Sequence, residues 1–389
     1  MNKENYELTP VELGERLKVA RESANITQDA AAKAACIART TLVAIEKGQR
    51  NAKLEEIQAL SRYYGVSANS LLRRESVFVD LLPRFRSLPE TRDNGIENAA
   101  KMLNDLVKAE VELENILGVR KIHSYPVEKT ILPGDVRRQA EQDAQNLRSW
   151  LGIGEGPVQN LFTLLELQMG IRVYSRKLDP KVSGLFAYDD AVGACILINS
   201  SHRADRRNQT GGHELGHFIA TRRKPEVYQD GKYENSREER YANAFASAFL
   251  TPTRTVMEKF KELTTGATHL TRRHIILLSH YFGVSRQALV LRLEELGLTK
   301  KGTWDWFVDN GGITDDQASQ VLGSSACDSQ LAVVPQSSRL FLLAIEAWKR
   351  DLVSEGQISE MLKLDRENVR ELLDEAEEDE VDDLFKLYH

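Results

Sequence analysis

The chain has 389 residues, enough for two or three domains, and its 41% hydrophobic content supports packed cores. A net charge of −6 argues against nucleic-acid binding by the whole chain, though not against a local basic face. Residues 1–15 lack the apolar stretch of a signal peptide, and no run approaches the roughly 18 apolar residues of a membrane span. Cys36, Cys195 and Cys327 form neither a disulfide framework nor a cysteine-type zinc motif, so the expected location is cytoplasmic.

The expected fold is mainly α with a small β-sheet. Four regions are expected in order: a five-helix domain over 1–75, a helical connector over 76–136, an α+β domain over 137–300, and a helical C-terminal region over 301–389. In the first, Thr9-Pro10-Val11-Glu12 has an N-cap, a proline at the first helical position and an early acid. Thr27-Gln28-Asp29 caps a second helix. Ala38-Arg39-Thr40-Thr41 opens a third, which Gly48 stops. Leu54, Ile57, Leu60 and Tyr64 mark a fourth helix, and a fifth begins near Ser67. Residues 36–74 hold seven Lys or Arg against three acids, a local charge of +4.

The run Thr27-Gln28, Ile37-Ala38-Arg39-Thr40-Thr41-Leu42 and Ile45-Glu46-Lys47-Gly48 resembles the helix-turn-helix of XRE-family, phage-type repressors. The resemblance implies that the amino end of the third helix enters the major groove of operator DNA. Arg39 and Thr40 then become candidate base readers, and an arginine can pair with guanine through two hydrogen bonds. Gln28 matches a family position that contacts the backbone, and Lys47, Arg50 and Asn51 sit where further phosphate contacts form. Cys36 departs from the glycine usual in that turn, where a left-handed residue with a side chain costs about 1 kcal/mol.

In the connector, Leu82-Pro83 and Leu88-Pro89 break the chain. Ile96, Ala99, Leu103, Leu106, Leu113 and Leu117 then recur at steps of three and four, with a gap at Glu110. Such a stripe pairs two subunits into a dimer or packs on its own chain. Residues 123–135, with Pro126 and Leu132-Pro133-Gly134, read as an exposed loop. Two helices are expected over 137–169. Strands follow at 170–174 and 193–199, with 183–188 between them as the candidate sheet edge for an extended substrate.

His213-Glu214-Leu215-Gly216-His217 carries the chemistry. Residues four apart stack on one helix face, so both imidazoles can reach one metal ion. Zinc held by three protein ligands keeps a fourth position open for water and lowers its pKa toward neutrality. Glu214, next to that face, can take the proton. Leu215, Phe218 and Ile219 give the helix an apolar side. A second helix is expected over 237–250, with Ala242, Phe245, Ala246, Phe249 and Leu250 as its stripe. Glu239 can complete a His-His-Glu set, and Asn243, one turn on, can accept from a ligand histidine. Glu238, about 100° away around the helix, competes.

His-Glu-Leu-Gly-His, then Glu239-x-x-Ala242-Asn243-x-Phe245-Ala246 and a helix running into Thr251-Pro252, resembles the ImmA/IrrE family of bacterial and phage metallopeptidases. The resemblance spans roughly residues 140–300 and implies a zincin-like peptidase fold. It implies Zn2+ bound by His213, His217 and Glu239, with Glu214 as the base. Gln209-Thr210-Gly211-Gly212 departs from the family's pattern before the first histidine, and its glycines lower helix propensity by about 1 kcal/mol each. Besides zinc, Tyr241, Arg240 and His202 are open as donors to the oxyanion.

Further on, Leu278–Leu289 echoes Leu60–Leu71, a second helix-turn-helix-like unit expected to pack beside the catalytic helices. His269, His274 and His280 are expected to be surface or packing residues. Residues 338–389 read as helical and end in an acidic run, with nine Asp or Glu between Glu371 and Asp383. The expected protein is a DNA-binding regulator fused to a zinc endopeptidase. Its substrate would be a helix-turn-helix repressor, another copy or the chain itself, cut in the connector in the last case. The competing expectation is a non-catalytic regulator whose zinc domain senses a ligand or partner.

Overall fold

The computed structural model describes residues 9–24, 26–64, 66, 68–72, 81–85, 94–224, 226–229, 236–323 and 338–382. Contacts gather the chain into two compact units. One comprises Met1–Asp80, Asp105–Lys121 and Leu340–His389; the other comprises Leu81–Asn104 and Ile122–Arg339. Ser67, Arg73, Arg74, Leu88-Pro89 and Cys327 lie outside the described residues.

The first unit opens with α1 (Pro10–Ser23), α2 (Gln28–Ala34), α3 (Arg39–Glu46), α4 (Leu54–Tyr64) and α5 (Ala68–Leu72). Thr9 and Glu12 form a reciprocal capping box ahead of α1, as Thr-Pro-x-Glu predicts. Thr27 accepts from the Ala30 amide to start α2. The turn into α3 passes through Cys36 at φ 53, in the left-handed region that its place in the turn requires. Leu17, Ala31, Leu42, Ile45, Ile57 and Leu60 from four helices make the core.

Beyond α6 (Leu82–Phe85), the connector stripe forms α7 (Asn94–Leu117). Ile96, Ala99, Leu103, Leu106 and Leu113 are all buried within the single chain. Of the two expectations for the stripe, its described residues show packing within the chain. Glu110, the gap in the pattern, is fully buried with Lys121 Nζ 3.6 Å from its carboxylate.

The second unit continues with α8 (Val136–Trp150), capped by Asp135, and α9 (Leu161–Leu164), which widens into a π turn over Leu165–Met169. Gly170 ends it at φ 73, and any Cβ there would strike the Ile122 carbonyl. Next come β1 (Arg172–Arg176), β2 (Val182–Asp189), β3 (Gly193–Asn199), α10 (Ala204–Ala220), β4 (Glu226–Gln229) and α11 (Arg237–Leu250). α12 (Thr253–Thr264), α13 (Arg272–Phe282), α14 (Arg286–Glu295), α15 (Thr303–Asp309) and α16 (Asp315–Leu322) complete it. The helices Ser338–Lys349, Glu355–Leu362 and Arg366–Asp382 belong to the first unit, and the last carries the acidic run.

The sheet runs β1-β3-β2-β4. β1 lies parallel to β3, and β2 is antiparallel to both β3 and β4. This corrects the expectation for 183–188. β4 pairs with Val182–Phe186 and covers most of that segment, so β2 is interior and the edges are β1 and β4. The covering strand lies some 40 residues further along the chain, where alternation within 183–188 gives no sign of it. α10 packs on β2 and β3, α11 lies against α10, and α8 lies against α11. α13 and α14 bury Ile275, Leu278, Phe282, Leu289 and Leu293 in the same core, as expected for a packing unit.

The 123–135 loop has no regular structure, and Val127 and Leu132 are exposed. Its backbone is nevertheless tethered. Ser124 N–H donates to Met169, Lys129 N–H donates to Ile219, and Arg222 and Arg237 donate to carbonyls of Pro126 and Gly134. The loop is thus held at the C-terminal end of α10 and, through Arg237, at the first turn of α11.

Candidate metal centre and nucleic-acid face

α10 carries both histidines on one face, through the glycines that weaken its helix propensity. The glycines have a packing reason. A Cβ on Gly216 would come within 2.8 Å of Ala242 Cα, and one on Gly212 within 3.3 Å of Ala246 Cα. Small residues on both helices let the α10 and α11 backbones approach closely, which brings the first turn of α11 to the histidines. Ser236 caps that turn by accepting from the Glu239 amide.

His213, His217 and Glu239 converge, with one ligand atom from each within 4.8 Å of the others. His213 Nε2 lies 3.0 Å from His217 Nε2 and 3.3 Å from Glu239 Oε2, and His217 Nε2 lies 3.1 Å from Glu239 Oε1. Both histidines are buried. Each ring's other nitrogen is committed. His213 Nδ1 donates to Asn243 Oδ1 at 3.0 Å, and His217 Nδ1 donates to Thr221 Oγ1 at 3.1 Å. The Thr221 hydroxyl gives its own proton to the His217 carbonyl, so its oxygen is the acceptor toward the ring. With Nδ1 protonated on both rings, two Nε2 lone pairs and a carboxylate face one point. Donors about 2.05 Å from a tetrahedral zinc stand about 3.3 Å apart, close to the spacings here. The donor set fits zinc.

Burial alone would raise the Glu239 carboxyl. When the two histidines carry Nε2 protons, hydrogen bonds and charge from them outweigh it and hold that carboxyl well below the usual carboxylate range. Burial lowers the His217 imidazole, keeping it neutral and available as a ligand. Glu214 is fully buried beside this face. β2 passes it at Gly184, where a Cβ would come within 2.7 Å of Thr210 Cγ2 and 3.4 Å of Glu214 Oε1.

The competing Glu238 is turned to Lys224, whose Nζ is 3.3 Å away. Of the three open oxyanion donors, two have other partners. Tyr241 is fully buried and donates to Asp143 at 2.9 Å, and His202 Nε2 is 3.2 Å from the Pro180 carbonyl. Arg240 is exposed. His269, His274 and His280 stand apart from the cluster, and His274 Nδ1 accepts from the Thr271 amide as a cap. Sequence reasoning missed Thr221 and Gly184. The signal for Thr221 was its place one turn after His217; Gly184 left none, because its neighbour across the sheet–helix interface is set by tertiary packing.

In the first unit, Arg39, Thr40, Lys47 and Asn51 are exposed at α3 and just beyond it. Arg39 Nε stands 4.0 Å from Asp29, both side chains largely in solvent, a pairing worth little. Gln28 and Arg50 are half-buried and paired with acids of their own domain. The Gln28 amide donates to Glu46 at 2.8 Å, and Arg50 forms two bonds to Glu56 at 2.9 and 3.1 Å. Glu46 is buried and also pairs with Arg21, at 2.6 Å. α3 is thereby locked to α1 and α2.

The comparisons with known proteins agree with this architecture. Residues 167–294 match the family model described as IrrE N-terminal-like domain, of the M78 peptidases, and residues 17–71 match the one described as Helix-turn-helix. The chain therefore joins an XRE-type helix-turn-helix domain to an ImmA/IrrE-type peptidase-family domain. No curated protein matches it. Among solved structures, the crystal structure of ComR from Streptococcus suis aligns over 97% of this chain and 96% of its own. Identity is 11% and the TM-score 0.17, too slight a likeness to bear on the fold. Among the described residues, no helix is long and apolar enough to cross a membrane.

Proposed function

We propose that the chain is a cytoplasmic, operator-binding transcription regulator whose second domain is a zinc-dependent endopeptidase acting on a helix-turn-helix repressor. The observation that carries the enzymatic half is the convergence of His213 Nε2, His217 Nε2 and the Glu239 carboxylate, with both Nδ1 atoms donated away. In this reading His213, His217 and Glu239 hold the ion, which when bound supplies a Lewis acid for water and the scissile carbonyl. Asn243 and Thr221 fix the tautomers. Glu214 takes the proton from the attacking water and passes it to the leaving amine.

The tethered 123–135 backbone favours a separate repressor, or a second copy, over a cut within the same chain, because a cut there would have to release those bonds. DNA recognition rests on the exposed Arg39 and Thr40, with Lys47 and Asn51 flanking them. Gln28 and Arg50 join only by exchanging Glu46 and Glu56 for phosphate. Binding as a dimer on a two-fold operator follows the geometry usual for this motif.

Metal analysis and a cleavage assay test the enzymatic half together. Purified protein should hold about one zinc per chain. Glu214→Gln should keep the metal and leave a co-purified helix-turn-helix repressor intact in mass spectra where wild type cuts it. Cleavage by that variant at the wild-type rate would refute the base assignment; zinc binding without any cleavage by wild type would leave a sensing module. For DNA, Arg39→Ala should cost about 1–3 kcal/mol and relax sequence preference. Lys47→Ala should weaken all duplexes alike. Equal wild-type affinity for promoter and random DNA would sink the operator reading.

A further inference from the structure

Beyond the metal centre, a cavity of about 490 Å3 lies among α10, α11 and α14. Asn243, the acceptor for His213, forms part of its wall, and Ala244, Ala288 and Leu291 supply an apolar lining. Arg137, Arg240 and Lys301 also line it. Among the described residues, none of these three cationic side chains has a hydrogen-bonding or ionic partner. Arg137 and Arg240 face a second hollow of about 350 Å3 as well, where α8 and α11 begin.

The acids around the cavity are already engaged. The Glu294 carboxylate accepts from the Gly302 and Trp304 amides at 3.1 and 2.9 Å. Glu295 takes Arg292 Nη1 at 2.9 Å, and Arg292 also grips Glu141 at 2.7 Å. Asp135 is occupied as the cap of α8. The three unpartnered cations line a volume suited to a small molecule or a few side chains, and they outnumber the two lining acids, Glu294 and Glu295.

We propose that this cavity binds an anionic ligand, with a carboxylate or phosphate held by Arg137, Arg240 and Lys301 against the apolar wall. Two sources share that chemistry: a free small anion and an acidic side chain of a bound peptide. Guanidinium groups suit both, because their forked donors match carboxylate and phosphate oxygens.

Calorimetric titration of the metal-free full chain tests the site apart from any peptidase activity. The probes are inorganic phosphate, citrate, and a capped tetrapeptide with two glutamates beside its glutamine twin. Saturable binding of an anionic probe is expected, weakened at least about tenfold in the Arg137→Gln, Arg240→Gln, Lys301→Gln triple variant. Preference for the glutamate peptide identifies a peptide ligand; preference for citrate or phosphate identifies a free anion. If the triple variant loses its circular dichroism, Leu291→Trp, which fills the cavity from a half-exposed position, takes its place and should block binding. Affinity weaker than about 1 mM for every anionic probe, or wild-type affinity in a folded variant, would overturn the proposal.

Discussion

At the scale of single residues, the site depends on which nitrogen of each histidine carries the proton. Thr221 and Asn243 decide that, each through one bond to an Nδ1. Removing such a partner from a zinc ligand typically costs 10–100-fold in affinity. Thr221→Val, nearly isosteric, should therefore weaken zinc by about that factor in a competition titration against a chelator, and Asn243→Ala should do the same. Glu238→Ala should leave the affinity unchanged, since that carboxylate pairs with Lys224. A larger loss from Glu238→Ala than from Thr221→Val would overturn this account of the ligand set. The histidine pair and Glu214 were legible from spacing alone, and Asn243 from its distance to Glu239. Thr221 lay in plain view one turn after His217, but threonine is common enough that only its contact with Nδ1 gives it a role.

At the scale of elements, the candidate metal centre is a property of two helices held close together. Gly212 and Gly216 on α10 face Ala246 and Ala242 on α11, with no room for a methyl group between Gly216 and the Ala242 backbone. In isolation, Gly216→Ala should favour the helix by up to about 1 kcal/mol. In the protein it should push α11 away and carry Glu239 off the histidines. The expected outcome is a fall in zinc affinity with helical content retained, measured by chelator competition and circular dichroism. Unchanged affinity would show that α11 can yield without moving Glu239. Propensity read the glycines as a weakness in the helix start; the helix runs unbroken from Ala204 to Ala220 because packing against α11 outweighs that local cost. The same scale explains the edge strand. A residue pattern shows which side of β2 faces inward, but not that β4 arrives to cover it.

At the scale of the whole molecule, the proposed function gives the two units different ligands, so their stabilities should separate. A ligand that binds only the folded state at 100 times its Kd adds about 2.7 kcal/mol. Stripping zinc with a chelator should lower the melting transition of the unit holding His213, His217 and Glu239 while leaving the helix-turn-helix unit in place, as read by scanning calorimetry. A single transition that moves as one with metal would mean the two units unfold together. The contact map also joins the C-terminal helices to the helix-turn-helix unit, although some 260 residues separate them along the chain.

The sequence by itself determined the candidate metal ligands and the kinds of element. Histidine spacing, the acid beside it, the caps at Thr9 and Thr27 and the alternation of apolar positions are local patterns, and backbone geometry converts them directly into faces and turns. It also marked the left-handed turn at Cys36. Tertiary structure decided what local patterns leave open: that α7 buries its stripe within one chain, that β4 caps the sheet, that Gln28 and Arg50 pair with acids of their own domain, and that three cations meet in one cavity. Each of these rests on contacts between residues far apart in the chain, where the free energy of burial and pairing, not periodicity, selects the partner.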